Sequence, residues 1–135
     1  QTDLGGFCSP IIIYDPSRPE GKTVDKIAQQ IDILPTILGM LNYTKPYFGF
    51  GIDVLNTPKE DTWAVNYLNG YYQYVRYGYV LQFDGTSTTA IYSLDDKLMK
   101  NNIKGKVEIQ QQMERELKAI IQQYMERMKQ DCLHP

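Results

Sequence analysis

A chain of 135 residues with 42% hydrophobic content is long enough to bury a core, as one domain or as part of a larger one. Fourteen Lys and Arg against sixteen Asp and Glu leave a formal net charge of -2 without a long run of either sign, which excludes the basic footprint of a nucleic-acid binder. No apolar run approaches the roughly 20 residues needed to cross a bilayer and no secretory signal is visible, so direct membrane insertion is not expected.

Residues 1–8 read as a lead-in in which Gly5-Gly6 permits a tight turn. Ile11, Ile12 and Ile13 then form an apolar run bounded by Pro10 and Asp15-Pro16-Ser17. The run has no polar alternation, which predicts a strand buried on both faces. A turn-rich, charged loop follows, and residues 24–30 are compatible with a short edge strand. Asp32 stands where it can accept hydrogen bonds from the free amides of a following helix, and Pro35 falls in a first turn where its missing N–H does no harm. Ile33, Leu34, Ile37, Leu38 and Leu41 cover most of that helix, so it is expected to be buried. Gly39 lets a neighbour approach closely, and residues 42–46 supply a stop.

Asn56-Thr57-Pro58 marks an internal boundary and divides the chain into 1–58 and 59–135. Beyond it the pattern is a meander. Asn69-Gly70, Tyr77-Gly78 and Asp84-Gly85 separate four short strands, the first pair being a hairpin because Asn-Gly tolerates positive φ. Tyr79, Leu81 and Phe83 should share one face, with Val80 and Gln82 on the other. Ile109, Met113, Leu117, Ile120, Ile121, Tyr124 and Met128 recur at steps of three and four, which predicts a covering helix over 107–129. The expected class is α+β: an N-terminal apolar strand and short buried helix, then a four-stranded antiparallel meander covered by a long C-terminal helix.

The order of these segments carries a resemblance. Gly5-Gly6-Phe7-Cys8-Ser9-Pro10, an apolar strand ending Tyr14-Asp15-Pro16, a loop with Pro19 and Gly21-Lys22, and IDILPTILGMLNY at 31–43 resemble the later part of sulfatase-like enzymes of the alkaline phosphatase superfamily. There the run reads roughly GGxRVP, strand, loop, VDLLPTLLDLLGI. The closest flavour is the branch of lipoteichoic acid synthases and phosphoglycerol or phosphoethanolamine transferases. VRYGYVLQFDG at 75–85, AIYSLDDKLMKNNIKG at 90–105 and the terminal helix also resemble that family's C-terminal region, so nearly the whole chain is covered.

The resemblance implies a parent enzyme, a transferase or sulfuric ester hydrolase using a divalent metal (Mn, Mg, Ca or Zn). It further implies a bacterial parent anchored in the inner membrane with its catalytic domain in the periplasm or outside. In that family the nucleophile and the Asp, Asn and His metal ligands precede the GGxRVP-like segment, so this segment has no catalytic, cofactor-binding or metal residue of its own. Its implied partner is the N-terminal catalytic portion of the parent. Residues 9–15 would join the parent's central sheet, and the meander with its helix would border the substrate cleft. The chain begins at Gln1 rather than methionine and reads as a soluble piece of a longer protein. The residues that choose between sulfate and phosphoglycerol or phosphoethanolamine lie upstream of it.

The residues that tempt a catalytic reading are few. Cys8 fails the family's C-x-P-x-R pattern, since Ile12 stands where arginine belongs, and it leads into a strand rather than the helix start that would hold an anion. His134 is next to the last residue, where a frayed end is expected. Asp95-Asp96 and the pair Glu114 and Glu116 read as solvated. Cys8 and Cys132 are compatible with a disulfide or with two separate thiols. Asn42-Tyr43-Thr44 matches a glycosylation sequon, a weak signal. Tyr67, Tyr71, Tyr72, Tyr74, Tyr77 and Tyr79 form the strongest local bias. They suit packing under the helix, or alternatively a self-contained module that binds glycan or peptide on a Tyr-rich sheet. The isolated chain is expected to form a homodimer through its N-terminal half.

Overall fold

The structure is a computed structural model that describes residues 9–17 and 19–131. The lead-in, Cys8, Cys132 and His134 lie outside the described residues. Four strands, β1 (Ala64–Leu68), β2 (Tyr71–Arg76), β3 (Tyr79–Phe83) and β4 (Thr88–Ser93), form one antiparallel sheet in the order β1-β2-β3-β4. The first two connections contain only two residues each. Asn69 and Gly70 take φ of 52° and 86°, Tyr77 and Gly78 of 53° and 78°, the left-handed pair that matches strand twist in a tight hairpin. The third connection is longer. The Asp84 carboxylate accepts hydrogen bonds from the N–H groups of Thr86 and Ser87, and a register shift at Gln82/Phe83 follows from the extra residues.

Strand alternation sorts the side chains into two cores. On one face Tyr74, Leu81, Phe83 and Ile91 pack against Met113 and Leu117 of the long helix α2 (Ile109–Lys129). On the other, Ala64, Val75 and Val80 meet Ile27, Leu94 and Met99. The meander, its faces and its covering helix thus match the sequence expectation. The helix starts two residues later than 107, with Val107 packed against the core. Its apolar stripe also outruns the sheet: Tyr124 and Met128 are about half exposed.

The edge of β4 is covered by the following loop, where Ile103 N–H donates to Ile91 O at 2.9 Å and Ile91 N–H to Asn102 Oδ1 at 3.2 Å. Phe48, Phe50 and Tyr124 form a chain of edge-on ring contacts, with the Arg127 guanidinium 4.0 Å from the Phe48 ring. These contacts tie the middle of the chain to the far end of α2.

The N-terminal part departs from expectation in three ways. Residues 9–15 form no strand: they have no ladder partner among the described residues, and Ile12 is 86% exposed. Residues 24–29 form no edge strand either. The short helix α1 (Ile33–Met40) forms around Pro35 as expected, but only Pro35 and Thr36 are buried while Leu34 and Leu41 face solvent. Residues 52–54 hold only one side of α1, through Asp32 and Thr36, which leaves Leu34 and Leu41 uncovered. Residues 24–29 are held by their side chains instead of a ladder, Lys26 on the carbonyls of Val54, Leu55 and Thr57 and Gln29 on the edge of β1.

Asp32 also acts in the opposite direction from a cap on α1. Its carboxylate accepts from Gln29 N–H behind it and from Ile52 N–H across the fold, each at 2.9 Å. Gly39 does admit a close neighbour, since a Cβ there would run into the Asp53 carboxylate. The helix stops at Asn42, whose φ is 51° and whose successor Tyr43 donates N–H back to Leu38 O.

Candidate functional site

Two features concentrate polar or aromatic chemistry, and both lie where α2 meets the sheet. The first is centred on Glu116. Tyr74 OH donates to Glu116 Oε2 at 2.9 Å and Tyr77 OH to Oε1 at 3.0 Å, while Gln112 Nε2 donates to Oε1 at 2.9 Å. Arg76 Nη1 reaches Oε2 at 3.2 Å, and its guanidinium lies 4.5 Å from the Tyr77 ring centre. The other guanidinium nitrogen, Nη2, stands 3.5 Å from Asp61.

Burial alone would push the Glu116 carboxyl up. The hydrogen bonds from Gln112, Tyr74 and Tyr77 and the Arg76 charge outweigh it and hold the group below the ordinary range. The Tyr74 phenol moves up, driven first by burial, with Arg76 opposing and Glu116 adding. Every acceptor site of Glu116 is thereby committed to neighbours in the fold. The arrangement pins α2 to the β2–β3 turn, and nothing in it is poised to accept a proton near neutral pH.

The second feature is a hollow of about 380 Å³ at the β1 edge. Ile120, Ile121, Tyr124 and Met125 of α2 form one wall and Val65, Tyr67 and Tyr72 of the sheet the other, with Ile31, Phe50 and Trp63 closing the sides. Its polar lining is Gln29 and the phenol groups. Two of its tyrosine rings are paired, Tyr67 on Tyr72 at 4.8 Å between centroids, and Trp63 backs onto the buried Tyr74 ring at 6.3 Å. A broader groove of about 1870 Å³ separates the N-terminal arm from α1 and the outer face of the sheet.

The residues singled out in the sequence scatter. Asp96 accepts from Asn101 N–H and shapes the loop after β4, and Asp95 is exposed nearby. Asn42 is exposed at the end of α1. Glu114 and Glu116 are not a solvated pair. Glu114 accepts from both the N–H and hydroxyl of Thr88 and pairs with Lys118 at 2.6 Å, which holds its carboxyl below the ordinary range. The signal for Glu116 was present in the sequence: Arg76 alternates with Tyr74 on the strand face that α2 covers, and a cation directed there needs a carboxylate on the covering stripe. Of the tyrosines, Tyr74 is fully buried and Tyr72, Tyr77 and Tyr79 pack on the core, whereas Tyr67 is 64% exposed.

Among the described residues no group of three or more His, Cys, Asp or Glu side chains could hold a metal ion, and no helix is long and apolar enough to cross a membrane. No family model, no curated protein and no solved structure matches the chain.

Proposed function

We propose that this chain is the C-terminal, non-catalytic region of a sulfatase-like, metal-dependent phosphoglycerol or phosphoethanolamine transferase or sulfuric ester hydrolase, nearest to the lipoteichoic acid synthase branch. One observation carries the reading beyond the sequence resemblance. Ile11, Ile12 and Ile13 are 42%, 86% and 42% exposed, although an unbroken β-branched run belongs in a strand flanked and covered on both faces. Ile33, Thr36 and Met40 of α1 line the groove beside this run, and Leu34 and Ile37, outside that lining, are exposed. In the proposed parent, residues 9–15 pair within the central sheet and α1 packs on it, while the meander and α2 border the cleft. Nucleophile and metal ligands belong to the preceding catalytic portion, in a bacterial, membrane-anchored protein facing the periplasm or exterior.

The test is the full reading frame together with an assay. An upstream segment bearing a Ser, Thr or Cys nucleophile and Asp, Asn and His ligands supports the proposal, and a frame without them overturns it. The polypeptide alone is expected to hydrolyse neither aryl sulfates nor phosphodiesters; chelator-sensitive turnover in a pure sample contradicts this. A second reading, a self-contained binding module, is favoured by the aromatic hollow at β1.

A further inference from the structure

The Gln29 side-chain amide occupies the outer edge of β1 in place of the N–H and C=O that one residue of a neighbouring strand would present. Its Nε2 donates to Trp63 O at 3.3 Å and its Oε1 accepts from Val65 N–H at 3.1 Å. If Val65 N–H points outward, strand alternation turns the N–H and C=O of Tyr67 outward as well. No group among the described residues pairs with them. The β1 edge is therefore half completed, by an amide, and its open half borders the hollow that Gln29, Tyr67 and Trp63 all line.

We propose that this edge and hollow bind an extended peptide segment, which continues the ladder at Tyr67 and sets one aromatic or branched apolar side chain against Ile121 and Tyr124. The proposal rests on the binding-module reading and is independent of the sulfatase-like one. Three features select a peptide. A residue laid opposite Tyr67 exchanges both backbone hydrogen bonds with it, and its side chain falls on the same face as Tyr67, which is the face that α2 walls. A purely apolar ligand would leave the Tyr67 amide unpaired. A sugar would find apolar walls and a Gln29 amide that is already engaged, whereas strand addition uses main-chain pairing for affinity and a pocket for selectivity.

Trp63, the single tryptophan, lines the hollow and reports occupancy. The full chain is titrated with the capped pentapeptide acetyl-Thr-Val-Phe-Val-Thr-amide while Trp63 emission is followed. A saturable change is expected. Binding should weaken about tenfold when the central amide is N-methylated, the weight of one backbone hydrogen bond left unmade, and further when Phe is replaced by Asp. Tyr67→Pro removes the outward N–H without touching the β1–β2 ladder and should weaken binding similarly. If that variant fails to fold, the N-methylated peptide on the unaltered protein decides. No saturable change up to millimolar peptide overturns the proposal, and so does equal affinity for the N-methylated peptide. A saturable change with an oligosaccharide but not with peptide overturns it too, while leaving the binding-module reading standing.

Discussion

Ile11 to Ile13 with α1 are the more continuously apolar region in sequence, and the meander with the largely polar α2 the less apolar one, yet only the second region builds a buried core. Leu81, Ile91, Met113 and Leu117 are fully buried, while Ile12, Leu34 and Leu41 are open to solvent. The difference lies in the number of layers each pattern requires. Alternating strands need one cover on each face, and the chain provides α2 on one side and Ile27, Leu94 and Met99 on the other. A non-alternating strand and an all-round apolar helix need partners on every side. Apolar content therefore does not set burial; the match between periodicity and available layers does.

The sharpest way to break this comparison is one charge in each region. Leu117→Asp places an unpaired carboxylate in the α2 interface and should cost several kcal/mol, enough to unfold a marginal domain. Ile12→Asp should change stability by no more than about 0.5 kcal/mol. Urea unfolding of the two variants compares them directly, and equal shifts would show that the regions do not differ. The exposed arm should also act between molecules: the scattering mass of the isolated chain is expected to rise with concentration, and Ile12→Lys to return it to the monomer value.

Glu116→Ala is expected next in size. It strands Tyr74 and Arg76 beside the core and should cost about 1–3 kcal/mol in the same unfolding measurement. Glu116 also makes the two regions respond oppositely to acid. Glu114 and Glu116 lie below the ordinary glutamate value of 4.5, so the unfolded chain binds more protons and stability falls as pH drops through that value. Asp32 lies above its ordinary 3.8, chiefly through burial and against the hydrogen bonds from Ile52 and Gln29; its contribution strengthens on acidification and fades as pH rises. Thermal melts between pH 6 and pH 3 should show Glu116→Gln with a shallower acid loss than the unaltered chain and Asp32→Asn with a steeper one. Reversed slopes would contradict these environments.

A smaller effect is expected at Tyr77. Asparagine suits its φ of 53° better than tyrosine, but Tyr77→Asn gives up the hydrogen bond to Glu116. The ring also packs on the core and under the Arg76 guanidinium, so the turn gain offsets only part of the loss, and thermal melts should show a net destabilisation of about 1 kcal/mol. No loss would mean that the turn matters more than the ring.

The legible part of this fold was the part whose signals are local. Asn69-Gly70 dictates a turn from its own backbone preferences, and the three- and four-residue spacing of Met113, Leu117, Ile120 and Ile121 dictates a helix face without knowledge of its partner. Asp32 was misread because its partner, Ile52, is twenty residues away in a segment with no periodicity. Glu116 was misread because paired acids on a polar helix look solvated until Arg76 is placed beneath them. The hollow at β1 was not readable at all: it exists because α2 is longer than the sheet is wide, a relation between two lengths rather than a property of either segment. Its tyrosines were noticed, but as a bias in composition.

Lys26 donates to three backbone carbonyls, Val54 O at 2.8 Å, Leu55 O at 3.2 Å and Thr57 O at 2.7 Å. These oxygens converge on the ammonium as the ligands of a small loop-bound cation would, and the lysine serves as a tethered ion that also fixes where the arm leaves the body. A point charge with three rotatable donors suits such a cage, whereas a planar guanidinium fork does not. Charge conservation at this position is therefore not functional conservation: Lys26→Arg keeps the sign and loses the coordination geometry.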